Sequence, residues 1–250
     1  MGNKTNYLDI LFDKWEKAHS KEPEESLKKT INGENIKKEF FQRDGIIAEE
    51  AFEKEKKKVL FISSEANSDN YNAAKGESKT NYQDVYLDYF KSGKDDWRGK
   101  MRQRICALYQ VISGIKDLDY SQMANRFAVM DLNKRGGKAK IDGGRHILEY
   151  CKVYKDFIKR EIEIIQPDIV IWIGTNTYDM GIPDILDAVN ISSNKYFIVN
   201  NKRVPILKMW QTSYYQARIS PLPNYRNKTI GKLCARLEAE LEKFGLEREH

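Results

Sequence analysis

The sequence predicts an α/β fold, a three-layer α/β/α sandwich built around a central, mainly parallel sheet of four strands. The stretch QPDIVIWIG contains a continuous apolar run, which is typical of a strand buried on both faces of a sheet. Another strand, a basic loop and a long helical pattern precede this run. A strand, a helix and a second strand in that order are typical of a parallel βαβ unit.

The composition is typical of a globular chain. With 250 residues, of which 40% are hydrophobic, the chain is long enough for one large domain or two small ones. No window approaches the roughly 18 apolar residues of a membrane span, and the start MGNKTNYLD lacks the apolar segment of a secretory signal. We therefore expect a cytoplasmic protein with no membrane partner.

The cysteines and histidines favour neither a disulfide framework nor a metal centre. Cys106, Cys151 and Cys234 are odd in number and far apart, so we expect reduced thiols in the core. The three histidines are isolated, and neither a phosphate-binding loop nor a dinucleotide fingerprint occurs. We expect no cofactor and no bound metal.

The charge is mildly basic and unevenly distributed. The net charge is +6, with acidic residues crowded in positions 22–54 and basic residues in 134–160 and 202–236. This distribution is compatible with a face that binds a polyanion, and equally with a solvated lysine-rich surface.

The first elements are a helix and a strand. An amphipathic helix that ends before Pro23 is predicted from the spacing of its apolar residues: Tyr7, Leu8, Leu11, Phe12 and Trp15. Residues 1–56 are therefore predicted to form a helical extension packed on the core of a domain that spans residues 57–245. The first strand of that domain is predicted at Val59–Ser63.

The later elements follow from similar patterns. A helix is predicted from Trp97, because Met101, Ile105, Leu108 and Ile112 share one face. Next come a strand at Phe127–Leu132, one long helix over 147–165, the QPDIVIWIG strand and a short helix at 183–190. KYFIVNNKRVPILKMW predicts a hairpin with its turn at Asn200 to Lys202, and a final helix runs from about Lys228 to Phe244.

The turn after the first strand is the first candidate site. VLFISSEANS passes directly from apolar residues to small polar groups and one carboxylate, Glu65. Ligands of parallel sheets bind beyond the carboxyl ends of the strands, where a carboxylate can act as a general base or electrostatic partner. The alternative is that Ser64, Asn67 and Asp69 cap a following helix.

Over about residues 57–245 the chain resembles the uracil-DNA glycosylase superfamily. VLFISSEANS looks like the family's first motif, with Ser64 to Ser68 in the five places of its Gly-Glu-Ala-Pro-Gly form. FAVMDLNKRGGK is similar to the middle strand that ends in Asn before a basic loop, with Asp131 on the Asn and Lys134 on the basic residue. The stretch 151–179 resembles the connecting helix and strand, including Pro167 and Gly174.

The chain departs from the family at its last motif and at its cysteines. The final His-Pro-Ser is absent. If the strand ends at Trp210, Gln211, Thr212 and Ser213 stand there instead; if SPLPNYR is matched to the family's Ser-Pro-Leu loop, Arg218 takes the place of the histidine. Of the four cysteines of the iron-sulfur members, only Cys151 sits at such a place, so no cluster is expected.

The resemblance implies a set of site residues. Glu65 would be the catalytic carboxylate, with Gln211 or Arg218 donating a hydrogen bond to the departing base. Base binding would fall to Asp131, Ala66, Asn67 and a stacking tyrosine, Tyr71, with Tyr82 and Tyr86 as alternatives. Backbone phosphates would be bound by Ser68, Lys134, Arg135, Lys138, Ser213 and Arg226.

The function implied is that of a DNA glycosylase that hydrolyses the N-glycosidic bond of an altered or uracil-like base in single- or double-stranded DNA. Because ionised Asp131 accepts hydrogen bonds only, it would favour a base with an amino group, whereas its alternative role is to cap the glycine-rich turn. The competing hypothesis is an inactive module with this fold that binds nucleic acid or a nucleotide. The replaced histidine and Asp131 both favour a loss or a change of activity and are the features that discriminate the two hypotheses.

Overall fold

The computed structural model describes residues 3–22, 41–65, 97–115, 118–134, 145–209 and 225–246. The elements in these ranges are, in chain order, α1 (Lys4–Ser20), β1 (Gly45–Ile46), α2 (Glu49–Glu53), β2 (Val59–Glu65), α3 (Trp97–Ser113), α4 (Tyr120–Ala124), β3 (Ala128–Asn133), α5 (Arg145–Val153), α6 (Lys155–Ile165), β4 (Ile169–Ile173), α7 (Thr175–Asp179), α8 (Ile182–Ile185), β5 (Val189–Ile191), β6 (Asn194–Val199), β7 (Lys202–Met209) and α9 (Tyr225–Lys243). None of these helices is long and apolar enough to cross a membrane.

The strands form one seven-stranded sheet in the order β1-β3-β2-β4-β7-β6-β5. Its centre, β3-β2-β4-β7, is parallel, and antiparallel strands extend both edges. The predicted α/β class is therefore confirmed, but the predicted number of four strands is wrong. The predicted elements include five of the seven strands, counting both strands of the hairpin. They lack β1 and β5, which have two and three residues, too few for a hydrophobic period to be recognised.

Helices cover both faces of the sheet, because alternate strand residues point to opposite sides. On one face Leu60, Met130 and Trp172 pack against α1, α5 and α6. On the other, Phe61, Val129 and Ile171 lie in a second cluster with residues of α3, α4 and α9. The central strands β3 and β4 are buried along their whole length, as their apolar runs predict.

Two helical predictions need correction. The pattern over 147–165 forms two helices, α5 and α6, separated by the non-helical Tyr154. The predicted helix at 183–190 is only the four-residue α8, because Asp187 has a φ of 62° and the chain then enters β5. The hairpin is confirmed, with Asn200 and Asn201 at φ 48° and 65° in the turn between β6 and β7.

The N-terminal helix α1 is bound to the core at both ends. The Glu49 carboxylate accepts the N–H groups of Lys4 at 2.7 Å and Thr5 at 2.9 Å, which supplies partners for donors that a helix start leaves unpaired. Further along, the Trp15 ring stacks on Phe157 with centroids 5.3 Å apart. The described part of residues 1–56 thus contributes the helices α1 and α2 and the strand β1 to the same core as the rest of the chain.

Candidate functional site at the carboxyl edge of the sheet

The four parallel strands end at one edge of the sheet, and their order produces a topological switch point there. The chain passes from β2 to its neighbour β3, then crosses back to β4 on the other side of β2 and continues to β7. The connections after β2 and after β4 therefore leave in opposite directions, toward β3 and toward β7. In open α/β sheets such a switch point is where ligands bind, and here it lies between the ends of β2 and β4.

Glu65 and Asn133 are the last residues of β2 and β3, and they are direct partners in the register of these two parallel strands. Neighbouring strands are about 4.8 Å apart, so the two backbones meet at the same point of the edge. Asn133 is buried, with 2% of its surface exposed. Asn133 was not among the predicted site residues, although an Asn at the very end of the second strand is a sequence signal that could have identified it.

Asp131 lies one step further into the sheet, where it pairs with Ser63. It is buried, and its N–H donates to Asp44 Oδ2 at 2.6 Å. Because side chains alternate along a strand, Asp131 and Asn133 belong to the same face as Val129. The predicted residue thus belongs to this region, but Asn133 rather than Asp131 stands opposite Glu65.

Lys134 does not face solvent, so its prediction as a phosphate-binding residue is wrong. Its side chain is fully buried between the carboxylates of Asp44 and Glu161, which are also fully buried. The ammonium Nζ lies 2.9 Å from Glu161 Oε2 and contacts Asp44 Oδ1 more closely. A buried ammonium requires carboxylates that pair with it. Here they are 90 and 27 residues away in the sequence, so the residues around Lys134 do not indicate the pairing.

Burial and electrostatics shift the ionisation of this cluster. Loss of hydration, reinforced by the negative charge of Glu161, raises the pKa of Asp44 well above its ordinary value, against the opposing effect of Lys134. Burial opposes the charged form of Lys134, but the two carboxylates outweigh it and raise the pKa of the ammonium. Lys134 is therefore a permanent cation, and the site resists carrying two uncompensated carboxylates.

On the other side of β2, Gly174 follows β4 in a tightly packed corner. Thr177 Oγ1 accepts from Trp172 Nε1 at 3.0 Å and donates to the Gly174 carbonyl at 2.9 Å. A Cβ atom at position 174 would lie 2.7 Å from Thr177 Oγ1 and 2.8 Å from Ser64 Oγ. The ends of β2 and β4 approach this closely only because residue 174 has no side chain.

The other predicted site residues lie outside the part of the chain that the structure describes: Ala66, Asn67, Ser68, Tyr71, Arg135, Lys138, Gln211, Ser213 and Arg218. Arg226 lies in the first turn of α9. Whether Gln211 or Arg218 lies near Glu65 and Asp131, as predicted, therefore stays a prediction. In the sequence, Gln211 comes two residues after Met209, the last residue of β7.

Within the described ranges, no three His, Cys, Asp or Glu side chains are grouped so that they could hold a metal ion. Cys151 is a buried free thiol, and burial raises its pKa to about 12. A surface depression of about 640 Å³ lies along α9, and none of its lining residues belongs to the carboxyl ends of the strands. The carboxyl edge is the candidate site because the strand register places Glu65 beside Asn133 there.

No protein-family model matches the chain, and a search of the curated proteins finds no match.

Proposed function

We propose that this chain is a DNA glycosylase-like protein that hydrolyses the N-glycosidic bond of an altered or uracil-like base. The observation that carries the proposal is the direct pairing of Glu65 with Asn133 at the carboxyl edge of β2 and β3. The resemblance of VLFISSEANS and of the strand ending in Asn to the uracil-DNA glycosylase superfamily supports the same function.

The chemistry of the bond explains why these two residue types suit neighbouring strands. When the bond breaks, the sugar becomes cation-like and the base leaves as an anion, so a carboxylate is needed beside the sugar and hydrogen-bonding groups at the base. Glu65 would stabilise the cation and orient the attacking water. The amide of Asn133 has both a donor and an acceptor, which match a carbonyl and an N–H of a uracil-like base.

This assignment changes the substrate expected from Asp131. An ionised Asp accepts hydrogen bonds only, whereas the Asn amide is complementary to a uracil-like edge without any change of protonation. Asp131 lies two residues deeper in β3, and its backbone N–H is engaged by Asp44. We therefore assign the base edge to Asn133. The donor to the departing base remains Gln211 or Arg218, and a preorganised donor of this kind contributes about 3–4 kcal/mol.

A base-binding module without cleavage is the second candidate. No His follows β7 before the last residue of the chain, so the histidine of the family's final motif has no direct counterpart. His19 lies in α1, buried, with Nε2 2.6 Å from the Tyr150 hydroxyl, and His146 lies in α5. Neither belongs to the carboxyl ends of the parallel strands, and this absence favours recognition over catalysis.

The test uses single- and double-stranded oligonucleotides that carry uracil, hypoxanthine, xanthine or hydroxymethylated bases, with abasic-site formation as the readout. Glu65→Gln is expected to lower the cleavage rate by about a hundredfold or more, while Asn133→Ala lowers the rate selectively for uracil. Glu163→Gln, in α6, is the matched control and should cleave as the wild type does.

The outcomes separate the two candidates. Cleavage that is unaffected by Glu65→Gln would remove this carboxylate from the mechanism. Binding of a base-modified oligonucleotide without cleavage, lost in Asn133→Ala, would establish the binding module instead.

A further inference from the structure

Among the strands in the described ranges, the end of β3 has a neighbour on one side only. β1 pairs with β3 at just two positions, Gly45 with Val129 and Ile46 with Ala128. Beyond Val129, no described strand pairs with the side of β3 that faces away from β2, and the backbone groups of a buried strand need hydrogen-bond partners. Residues 130–133 are nevertheless buried.

Segment 42–44 replaces the missing strand. The Asp44 carboxylate accepts the N–H of Asp131 at 2.6 Å, and the Gln42 N–H donates to the Lys134 carbonyl at 2.7 Å. These two hydrogen bonds hold the backbone at both ends of 131–134. The stretch includes Asn133, and its position at the carboxyl edge therefore depends on the position of one buried carboxylate.

That carboxylate is itself held by buried charges. Its second oxygen contacts Lys134 Nζ, which also pairs with Glu161 of α6 at 2.9 Å. The rings of Phe12 and Trp15 lie 5.6 Å and 5.3 Å from the same ammonium. The cluster thus joins segment 42–44, the end of β3, α6 and the aromatic side of α1.

Stability alone gives little reason for this arrangement. Replacing a buried ion cluster by well-packed apolar side chains of similar volume is often neutral or stabilising. What ionic hydrogen bonds provide in addition is a defined position, since a charge-assisted bond is short and directional. An apolar cluster would fill the same space without fixing the register of the 131–134 backbone.

We propose that Asp44, Lys134 and Glu161 are positioning residues, which hold the end of β3 so that Asn133 stands opposite Glu65. The effect on a base ligand rests on the proposed function, whereas the effect on the backbone does not. The cluster lies on the opposite face of β3 from Asn133 and acts through the backbone.

The first test measures amide hydrogen exchange by NMR in Asp44→Leu, which removes the acceptor. Exchange at Asp131 is expected to rise roughly 10- to 100-fold relative to the amides of β4, as the loss of a hydrogen bond to a charged group predicts. The matched control is Asp168→Leu, because Asp168 Oδ2 accepts the Lys58 N–H at 2.8 Å just before β2 begins. In the control, the exchange rate at Asp131 relative to the amides of β4 should equal that of the wild type. An unchanged ratio in Asp44→Leu would overturn the proposal.

If Asp44→Leu does not fold, Asp44→Asn tests whether Asp44 holds the Asp131 backbone, since Asn keeps the shape of the Asp side chain and an oxygen acceptor. The neutral acceptor is weaker than the carboxylate, so the Asp131 amide proton should move upfield and exchange several-fold faster. An Asp131 amide with the wild-type shift and exchange rate would again overturn the proposal.

The second test measures binding of a uracil-containing oligonucleotide. Asp44→Leu is expected to weaken binding at least tenfold, with partial recovery in Asp44→Asn and no change in Asp168→Leu. Faster exchange at Asp131 with wild-type affinity would overturn the role of the cluster in positioning the site. A wild-type protein that neither binds nor cleaves any base would refute the proposed function, while the exchange data would still decide whether the cluster holds the backbone.

Discussion

Replacing Gly174 with Ala is expected to destabilise the fold through steric contacts alone. The φ of Gly174 is −174°, an extended value that any residue adopts. The added Cβ, however, would lie 2.7 Å from Thr177 Oγ1 and 2.8 Å from Ser64 Oγ. Both distances are below the range of ordinary carbon–oxygen contacts, so at least one neighbouring side chain has to move.

The magnitude follows from what those side chains are bonded to. Ser64 Oγ lies 3.4 Å from Thr177 Oγ1 and can rotate at low cost. Thr177 Oγ1 cannot, because it accepts from the buried Trp172 Nε1 and donates to the Gly174 carbonyl. Rotation would leave the indole N–H unpaired, at about 1–3 kcal/mol, which agrees with the usual cost of overpacking. The free energy of unfolding should fall by about 1–3 kcal/mol.

Urea denaturation of wild type and variant provides the assay, with Gly231→Ala as the control. A Cβ at Gly231 would meet nothing within 4 Å, and Ala in the exposed face of α9 should stabilise by about 0.5–1 kcal/mol. Replacement of Gly by Ala should therefore lower the free energy of unfolding at position 174 and raise it at position 231.

A double-mutant cycle isolates the contact with Thr177. In a Thr177→Ala background, Gly174→Ala should cost at least about 1 kcal/mol less than in the wild type, because neighbouring residues couple. Gly174→Ala within about 0.5 kcal/mol of wild type would refute the reasoning, since the corner would then be loosely packed.

Three further predictions concern charge and backbone conformation. Lys134→Met should lower the free energy of unfolding by about 3–5 kcal/mol, because it leaves the carboxylates of Asp44 and Glu161 buried without a cation. As a control in the same urea assay, Lys54→Met, which breaks an exposed ion pair, should change the free energy of unfolding by less than about 1 kcal/mol. The raised pKa of Asp44 means that, between pH 3.8 and the raised value, the folded state keeps a proton that the unfolded chain loses. Within that range the contribution of Asp44 to stability should fall as the pH rises, and the stability of Asp44→Asn relative to wild type should rise; above it Asp44 is the ionised carboxylate. A stability difference that is flat with pH would contradict this. Asn201→Gly should raise the melting temperature and Asn201→Val should lower stability by about 1–2 kcal/mol, because φ at this turn position is 65°; equal melting temperatures for the two variants would argue against a left-handed residue there.

The strands and helices that the sequence predicted well are those whose pattern is complete within one segment. The apolar run of β4 and the strand β2 required no distant partner to be recognised. The same is true of the hairpin, where two Asn residues separate two apolar stretches, and of the amphipathic α1. The break at Tyr154 was invisible because the apolar spacing continues through it from α5 into α6.

The candidate site was predicted only in part. Glu65 at the end of a strand could be identified from the abrupt change from apolar to polar residues. Asp131 was assigned through the resemblance of FAVMDLNKRGGK to the family's middle motif, whereas the strand register places Asn133, two residues later on the same face, opposite Glu65. Lys134 was interpreted as a surface cation, since its partners Asp44 and Glu161 are 90 and 27 residues away.

The sequence by itself determined the α/β class, the parallel strands and the presence of polar residues at their ends, because hydrophobic periodicity is local to each segment. Only the tertiary structure decided that Asn133 stands opposite Glu65 and that the Lys134 ammonium points inward. The register of neighbouring strands and the burial of a charge both depend on energies between residues far apart in the chain. A charged lysine is stable in a protein interior only where carboxylates pair with it. The carboxylates that pair with Lys134 are far away in the sequence, so no local pattern predicts the pairing.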